Sequence, residues 1–520
     1  MASFRSSPVL SLPGRLRCLR SAARFFLFLW LASTFPGAAD EDFEELKSRW
    51  RERDKWTRKS AIEGLARLGT PEAWELVIEG LGDERGEVAD TAQWVLGGLE
   101  DPQLVARLTR RSGLKSKDPW IRKRVTEVLG RLGRSEELRS LLGQLDDREV
   151  EVRSATLQAL ARIARADGLS SGDLDRVCRG VKKRSQADRD PHIRAQALGV
   201  WMGLVGEEGF DTLRRAVRAR EPAVRAMAAS LLVSVYGKAT ADAAAVALVD
   251  LVEDPSRAVR TRAIEAAARI GRPATVSLLV ERLTQEPNPR LRWRIVQLLR
   301  GLSGTKHGRD PRPWRDWLKK LPVDWSGRSV PLLGIRAGPG DRSATFAGLP
   351  ILSNRLTILI DLSGSIWQER ADGKSKKEKV DERLREALHR LPEDARFNLI
   401  PFTGKPIPWK EQLVEARPRN VASALRFFEG LRESGSGNIW DAIQLALQDP
   451  ETDTIILLSD GAPTGGRRHR LELIVPLLLL QNATRAVAFD LVLVDASRRL
   501  QGFWGKLARG SGGHLLSIEL

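Results

Sequence analysis

The sequence predicts a multidomain chain: an all-α superhelical solenoid followed by an α/β domain with a doubly wound, Rossmann-like parallel sheet. Three observations carry this reading. A pattern of an acid, an apolar residue, an arginine and spaced alanines and leucines recurs between about residues 54 and 300. Near-continuous apolar runs alternate with helical stretches after residue 350, and a Pro-, Gly- and Arg-rich segment separates the two. At 520 residues the chain is longer than a single core organises.

Residues 1–39 read as a signal peptide. Arg5, Arg15, Arg17, Arg20 and Arg24 are accompanied by no acid, then comes the apolar block FFLFLWLASTF, then small residues at Gly37, Ala38 and Ala39. The apolar block is short for a membrane span, so cleavage near Ala39 and export to a periplasmic, cell-surface or secreted location are expected, with an uncleaved anchor as the alternative. Cleavage would lower the formal charge from +18 to about +13 and leave Cys178 as the sole thiol, so stability has to come from packing rather than disulfides.

Residues 40–300 are expected to be the solenoid. The clearest copies of the repeat are DPSRAVRTRAIEAAARIG from Asp254, DREVEVRSATLQALARIA from Asp147 and DPWIRKRVTEVLGRLG from Asp118; weaker ones begin at Asp54, Asp83, Asp190, Glu221 and Glu286. Successive starts lie 29 to 43 residues apart, room for two short antiparallel helices and a turn. Val259, Ala263, Ala267 and Ile270 share one helix face, which a single helix pair cannot cover, so neighbouring units stack. With its Asp-Pro turn and Val-Arg pair opening the second helix (Val152 and Arg153, Val224 and Arg225, Val259 and Arg260), this half resembles the HEAT repeats of bacterial proteins. The resemblance implies an extended surface for a macromolecule.

In residues 301–350 the repeat stops. Trp314, Trp317 and Trp325 are expected to cap the solenoid ahead of a linker.

Residues 351–520 alternate LTILIDLS, ARFNLIPF, DTIILLSD and VAFDLVLVD with helical stretches, including RRHRLELIVPLLLLQNA. Apolar runs of this kind are strands of a parallel sheet buried on both faces, and its ligand site lies beyond their carboxyl ends. Asp361, Ser363 and Ser365 leave the first strand, SGSGNIWDAI opens a helix, and Asp460 leaves a later strand. A carboxylate, two hydroxyls at alternate positions and a second carboxylate are hard oxygen donors suited to Mg²⁺ or Mn²⁺.

DLSGS after a strand, G-x-x-N-I-x-D-A at a helix start and LLSDGAPT further on resemble the von Willebrand factor A (VWA) domain and its metal-ion-dependent adhesion site (MIDAS). The resemblance implies that Ser363 and Ser365 bind the metal, that Asp361 and Asp460 hold its waters, and that a partner's carboxylate completes the coordination beside Gly437 and Asn438. Where the family has a threonine, this chain has Gly437; Ser436 or a water is expected in its place.

The function expected is that of an exported, non-enzymatic binding or scaffold protein that uses a metal-dependent VWA domain and a HEAT solenoid for protein interaction or adhesion. Binding of an acidic polysaccharide by the basic solenoid is the alternative, since residues 351–520 carry almost none of the charge excess. Nucleic acid is not expected as a partner. A Mg²⁺-dependent enzyme with Asp361 as nucleophile is less well supported, because position 363 is serine rather than a second acid, and none of the five histidines lies next to a G-x-S-x-G elbow.

Overall fold

The computed structural model describes residues 42–99, 101–166, 169–235, 241–327, 344–367 and 375–519. The expected signal peptide lies outside them. No helix among the described residues is long and apolar enough to cross a membrane.

From Phe43 to Leu318 the described chain is helical. Asp54, Asp118 and Asp190 each accept a backbone N–H of the following first turn, and Gly69, Gly133, Gly271 and Gly304 end helices at φ +65°, +70°, +63° and +72°. The repeated arginine has a structural use. Its guanidinium pairs with the acid at the next unit's start: Arg58 with Asp83, Arg122 with Asp147, Arg153 with Asp188, Arg194 with Glu221, Arg225 with Asp254 and Arg260 with Glu286, at 2.6–3.0 Å. The same guanidinium donates to the carbonyls five and six residues earlier, as Arg225 does to Arg220 and Ala219, both at 2.8 Å. Each arginine therefore ties its own turn to the next unit, and the acid and arginine recur with the repeat for that reason. The second unit has Ala89 where the arginine would stand.

Beyond residue 300, the helix Pro311–Leu318 buries Trp314 on the solenoid core, with Trp317 and Trp325 following in edge-to-face contacts. The C-terminal domain opens with a hairpin of β1 (Thr345–Phe346) and β2 (Leu349–Pro350). The main sheet contains β3 (Arg355–Asp361), β4 (Arg396–Phe402), β5 (Val414–Glu415), β6 (Thr454–Ser459), β7 (Ala488–Val494) and β8 (Leu515–Ile518), in the order β5-β4-β3-β6-β7-β8. All neighbours are parallel except the short edge strand β5. Ile358 and Ile360 face one helix layer and Leu359 the other, so both faces are covered.

The sequence stretch expected to be helical from Arg467 begins its helix only at Leu471 (Leu471–Asn482). Residues 467–470 are held against the solenoid instead. Asp90, fully buried, accepts the N–H groups of His469 (2.6 Å) and Arg470 (2.8 Å), and Arg468 pairs with Asp90 and Glu127. At the helix's other end Arg262 donates to the carbonyls of Asn482 (2.8 Å) and Ala483 (2.9 Å), and Arg257 to those of Arg485 (3.0 Å) and Ala486 (2.7 Å). The solenoid supplies an acid at the positive end of this helix and arginines at the negative end, matching its dipole. Further along, Arg290 donates two bonds to Asp490 of β7, at 2.5 and 3.0 Å.

Asp90, Arg124, Arg257, Arg262 and Arg290 all lie on the helices that directly follow the repeat's acids. The surface expected to bind another macromolecule therefore holds the chain's own C-terminal domain. Asn482 is buried and locks the turn after its helix through Val487.

Candidate functional site

The sheet order reverses between β3 and β6, and side chains at their carboxyl ends face one crevice. Asp361 ends β3 and is 3% exposed. Its Oδ1 accepts the Ser363 N–H at 2.9 Å and its Oδ2 accepts the Ser459 hydroxyl at 2.7 Å. Burial, with the charge of nearby Asp460 adding to it, pushes its pKa up to about 6 despite those bonds. None of the groups acting most strongly on it is a cation. A buried carboxylate beside a second one, with no cation among the described groups that act most strongly on it, is chemically suited to a cation.

The first loop is closed by Trp367, whose indole N–H donates to the Leu362 carbonyl at 3.2 Å, and Gly364 N–H reaches Gly435 O at 3.2 Å. Ser363 is buried; Ser365 has its backbone in the one-turn helix Gly364–Trp367, and its side chain lies outside the described residues. In the second loop Asn438 caps the helix Ile439–Ala446 by accepting the Asp441 N–H, and its amide donates to Gly404 O and Asp441. Asn438 is thus spent on positioning the loop.

The third loop lies on the second so closely that glycine is required. A Cβ at Gly465 would come within 2.3 Å of Ser436 Oγ, and one at Gly466, where φ is +81°, within 2.0 Å of Asn438 Oδ1. This contact brings in Thr464, the last residue of LLSDGAPT. Gly437 N–H donates to Thr464 Oγ1 at 2.7 Å, and Thr464 N–H returns a bond to Gly437 O at 3.1 Å. A Cβ at Gly437 would lie 3.1 Å from Asp361 Oδ2 and 3.4 Å from Thr464 Oγ1. The space into which a side chain at 437 would project thus holds the Thr464 hydroxyl beside the Asp361 carboxylate. Ser436 Oγ sits toward Gly404 and Gly465. Asp460 accepts the Ala462 N–H at 2.9 Å.

Solenoid groups hold this third loop. Lys55 donates to Thr464 O (3.3 Å) and pairs with Glu87, Gly86 N–H donates to Gly466 O (2.8 Å), and Arg124 donates to Arg467 O (2.6 Å). Within the domain, Trp504 donates to Gly461 O at 2.8 Å. Ser459, Thr464 and these clamps went unnoticed in the sequence; the only signal was the small-residue run after Asp460.

Comparison with known proteins matches residues 74–161 and 238–300 to the HEAT repeats family. The chain is similar to mouse inter alpha-trypsin inhibitor heavy chain 4 (31% identity over 27% of this chain), to human inter-alpha-trypsin inhibitor heavy chain H2 (35% over 22%) and to human von Willebrand factor A domain-containing protein 3B (33% over 20%). The matches span 15%, 13% and 8% of those relatives' own lengths. The helical half carries HEAT repeats, and the C-terminal unit is a VWA domain.

Proposed function

We propose that this is an exported, non-enzymatic binding protein whose VWA domain holds Mg²⁺ or Mn²⁺ and through it engages a protein partner, with the HEAT solenoid as the frame that fixes the metal loops. The observation that carries the reading is the convergence of Asp361, Ser363, Ser459, Asp460 and Thr464, all hard oxygen donors, at the switch point between β3 and β6. Ser363, Ser365 and Thr464 would supply hydroxyls to the ion, and Asp361 and Asp460 would hold its waters. A bound ion would supply an electrophilic position for a partner's carboxylate. Thr464 takes the part of the threonine that Gly437 replaces, so the ligand set is complete without a shift of Ser436. The basic solenoid's repeat arginines are largely engaged with the next unit or with the C-terminal domain, which favours protein recognition over a polysaccharide. Thermal unfolding of the full chain tests the metal reading: Mn²⁺ should raise the melting temperature of wild type and not of Asp361→Ala. No shift in wild type at millimolar metal would refute it.

A further inference from the structure

A cavity of about 420 Å³ opens between the first solenoid helices and the VWA domain, next to the third metal loop, whose Ala462 and Pro463 form part of its wall. Its charged lining is Lys59, Arg470, Arg499 and Glu472, with His469 beside them and Phe503 on the apolar side. Cations exceed acids, and the one acid is already engaged: Glu472 pairs with Arg499 at 2.8 Å.

Arg470 stands out. Its guanidinium stacks on Trp94 at 4.4 Å from the ring centre, and Arg131 stacks on the same indole at 3.8 Å. Among the described residues neither the buried Nε of Arg470 nor the buried Nδ1 of His469 has a hydrogen-bond partner. Burial, and then the charge of Arg470 on the same ring, holds the Arg131 guanidinium below its ordinary pKa, so the two groups repel each other there. An anion beside the Arg470 guanidinium would offset that repulsion.

Two helices begin at this cavity. Leu471–Asn482 starts at Leu471 and Glu472, where Asp90 already accepts the N–H groups of His469 and Arg470, and Arg498–Ser511 starts beside Ser497 and Arg499, so the positive end left to the cavity is that of Arg498–Ser511. Arg470 occupies the N-cap of the first and contributes no side-chain acceptor there. Leu500 and Phe503 give the cavity an apolar wall. Its volume and its position between two domains are those of a small-molecule site.

We propose that this cavity binds a small organic anion, with a phosphate or carboxylate head held by Arg470 and Lys59 and an apolar body lying on Leu500 and Phe503. The ligand would touch both the solenoid and the loop that carries Asp460 and Thr464. The site uses none of the oxygen donors of the metal centre, so it stands apart from the metal reading.

Calorimetric titration of the full chain in EDTA tests it, with phenyl phosphate, benzoate, inorganic phosphate and phenol as probes. Phenyl phosphate or benzoate should bind, inorganic phosphate more weakly, and phenol not at all; the stronger of the first two identifies the head group. Arg470→Gln should weaken binding by about tenfold or more, while Arg419→Gln, at an exposed position of the helix Pro418–Gly430 outside the cavity lining, should leave it unchanged. If Arg470→Gln fails to fold, as circular dichroism would show, Lys59→Gln on the partly exposed rim replaces it, with a loss of roughly threefold. Absence of binding by either organic anion at millimolar concentration, binding equal to that of phenol, or affinities unchanged in the folded variants would overturn the proposal. Binding that appears only when a divalent metal is restored would also overturn it, since the anion would then sit on the metal.

Discussion

Replacing Asp490 by alanine removes a buried ion pair between the two halves of the chain, together with its bonds to His514. Asp490 lies in the middle of β7 and is fully buried; it accepts two bonds from Arg290, the backbone N–H of His514 at 2.8 Å, and its ring Nδ1 at 3.0 Å. Removing the carboxylate leaves the Arg290 guanidinium, itself 6% exposed, with only Gly512 O at 3.0 Å as acceptor among these bonds. A buried ion pair broken on one side costs about 3–5 kcal/mol, against about 0–1 for an exposed pair. Urea unfolding followed by tryptophan fluorescence is a suitable assay, because Trp293 packs edge-on against His514 at 4.9 Å. The double variant Arg290→Met, Asp490→Leu, which removes both charges and keeps the volume, should recover most of the loss. The pH dependence is fixed in sign. Burial alone would raise the Asp490 pKa, but Arg290 and the His514 and Arg290 hydrogen bonds more than offset it and hold it well below the usual carboxylate range. Its stabilisation is therefore complete above the unfolded-state value of about 4 and is lost as pH falls below that. The double variant should lack this acid-labile component. A loss below about 1 kcal/mol for Asp490→Ala, or identical acid profiles for wild type and double variant, would refute the docking described.

Thr464→Val should weaken Mn²⁺ binding at least several-fold, read by calorimetry, whereas Ser436→Ala should leave it near wild type. Gly437→Thr should fail to tighten binding and should lower the melting temperature, since its Cβ would press within 3.1 Å of Asp361. Burial, then the charge of Arg468, lowers the Lys123 pKa to about 8, so the charged amine costs stability at neutral pH. Lys123→Met should accordingly raise the melting temperature at pH 7, with the gain fading as pH rises from about 8 toward the unfolded-state value of about 10.4. Arg225→Ala removes the bidentate pair with Asp254 and two carbonyl bonds, and should cost about 2–4 kcal/mol in a urea melt followed by circular dichroism.

The two-part architecture was legible because each part repeats a local rule. Asp254, Val259 and Arg260 announce a helical unit wherever they recur, and ILLS or LVLV marks a strand buried on both faces. Asp361 and Asp460 were legible because the acid interrupts or directly follows such a strand. What stayed hidden depends on pairs far apart in the chain. Asp490 inside VAFDLVLVD is an anomaly in the sequence, yet its partner Arg290 is 200 residues away. Arg468 sits 378 residues from Asp90, and without that contact RRHR looks like the start of a helix. Thr464 reaches Gly437 across 27 residues through a loop whose course is set by glycines and by the solenoid, so no local pattern assigns it a role.

On the function proposed, the crevice at the ends of β3 and β6 is a divalent-metal site completed by a loop the solenoid holds in place. Calorimetric titration of Mn²⁺ into the full-length chain, beside Asp361→Ala and Thr464→Val, tests it most directly. One-to-one binding by wild type, none by Asp361→Ala and weakened binding by Thr464→Val is the predicted result; no heat of binding in wild type at millimolar Mn²⁺ would contradict it.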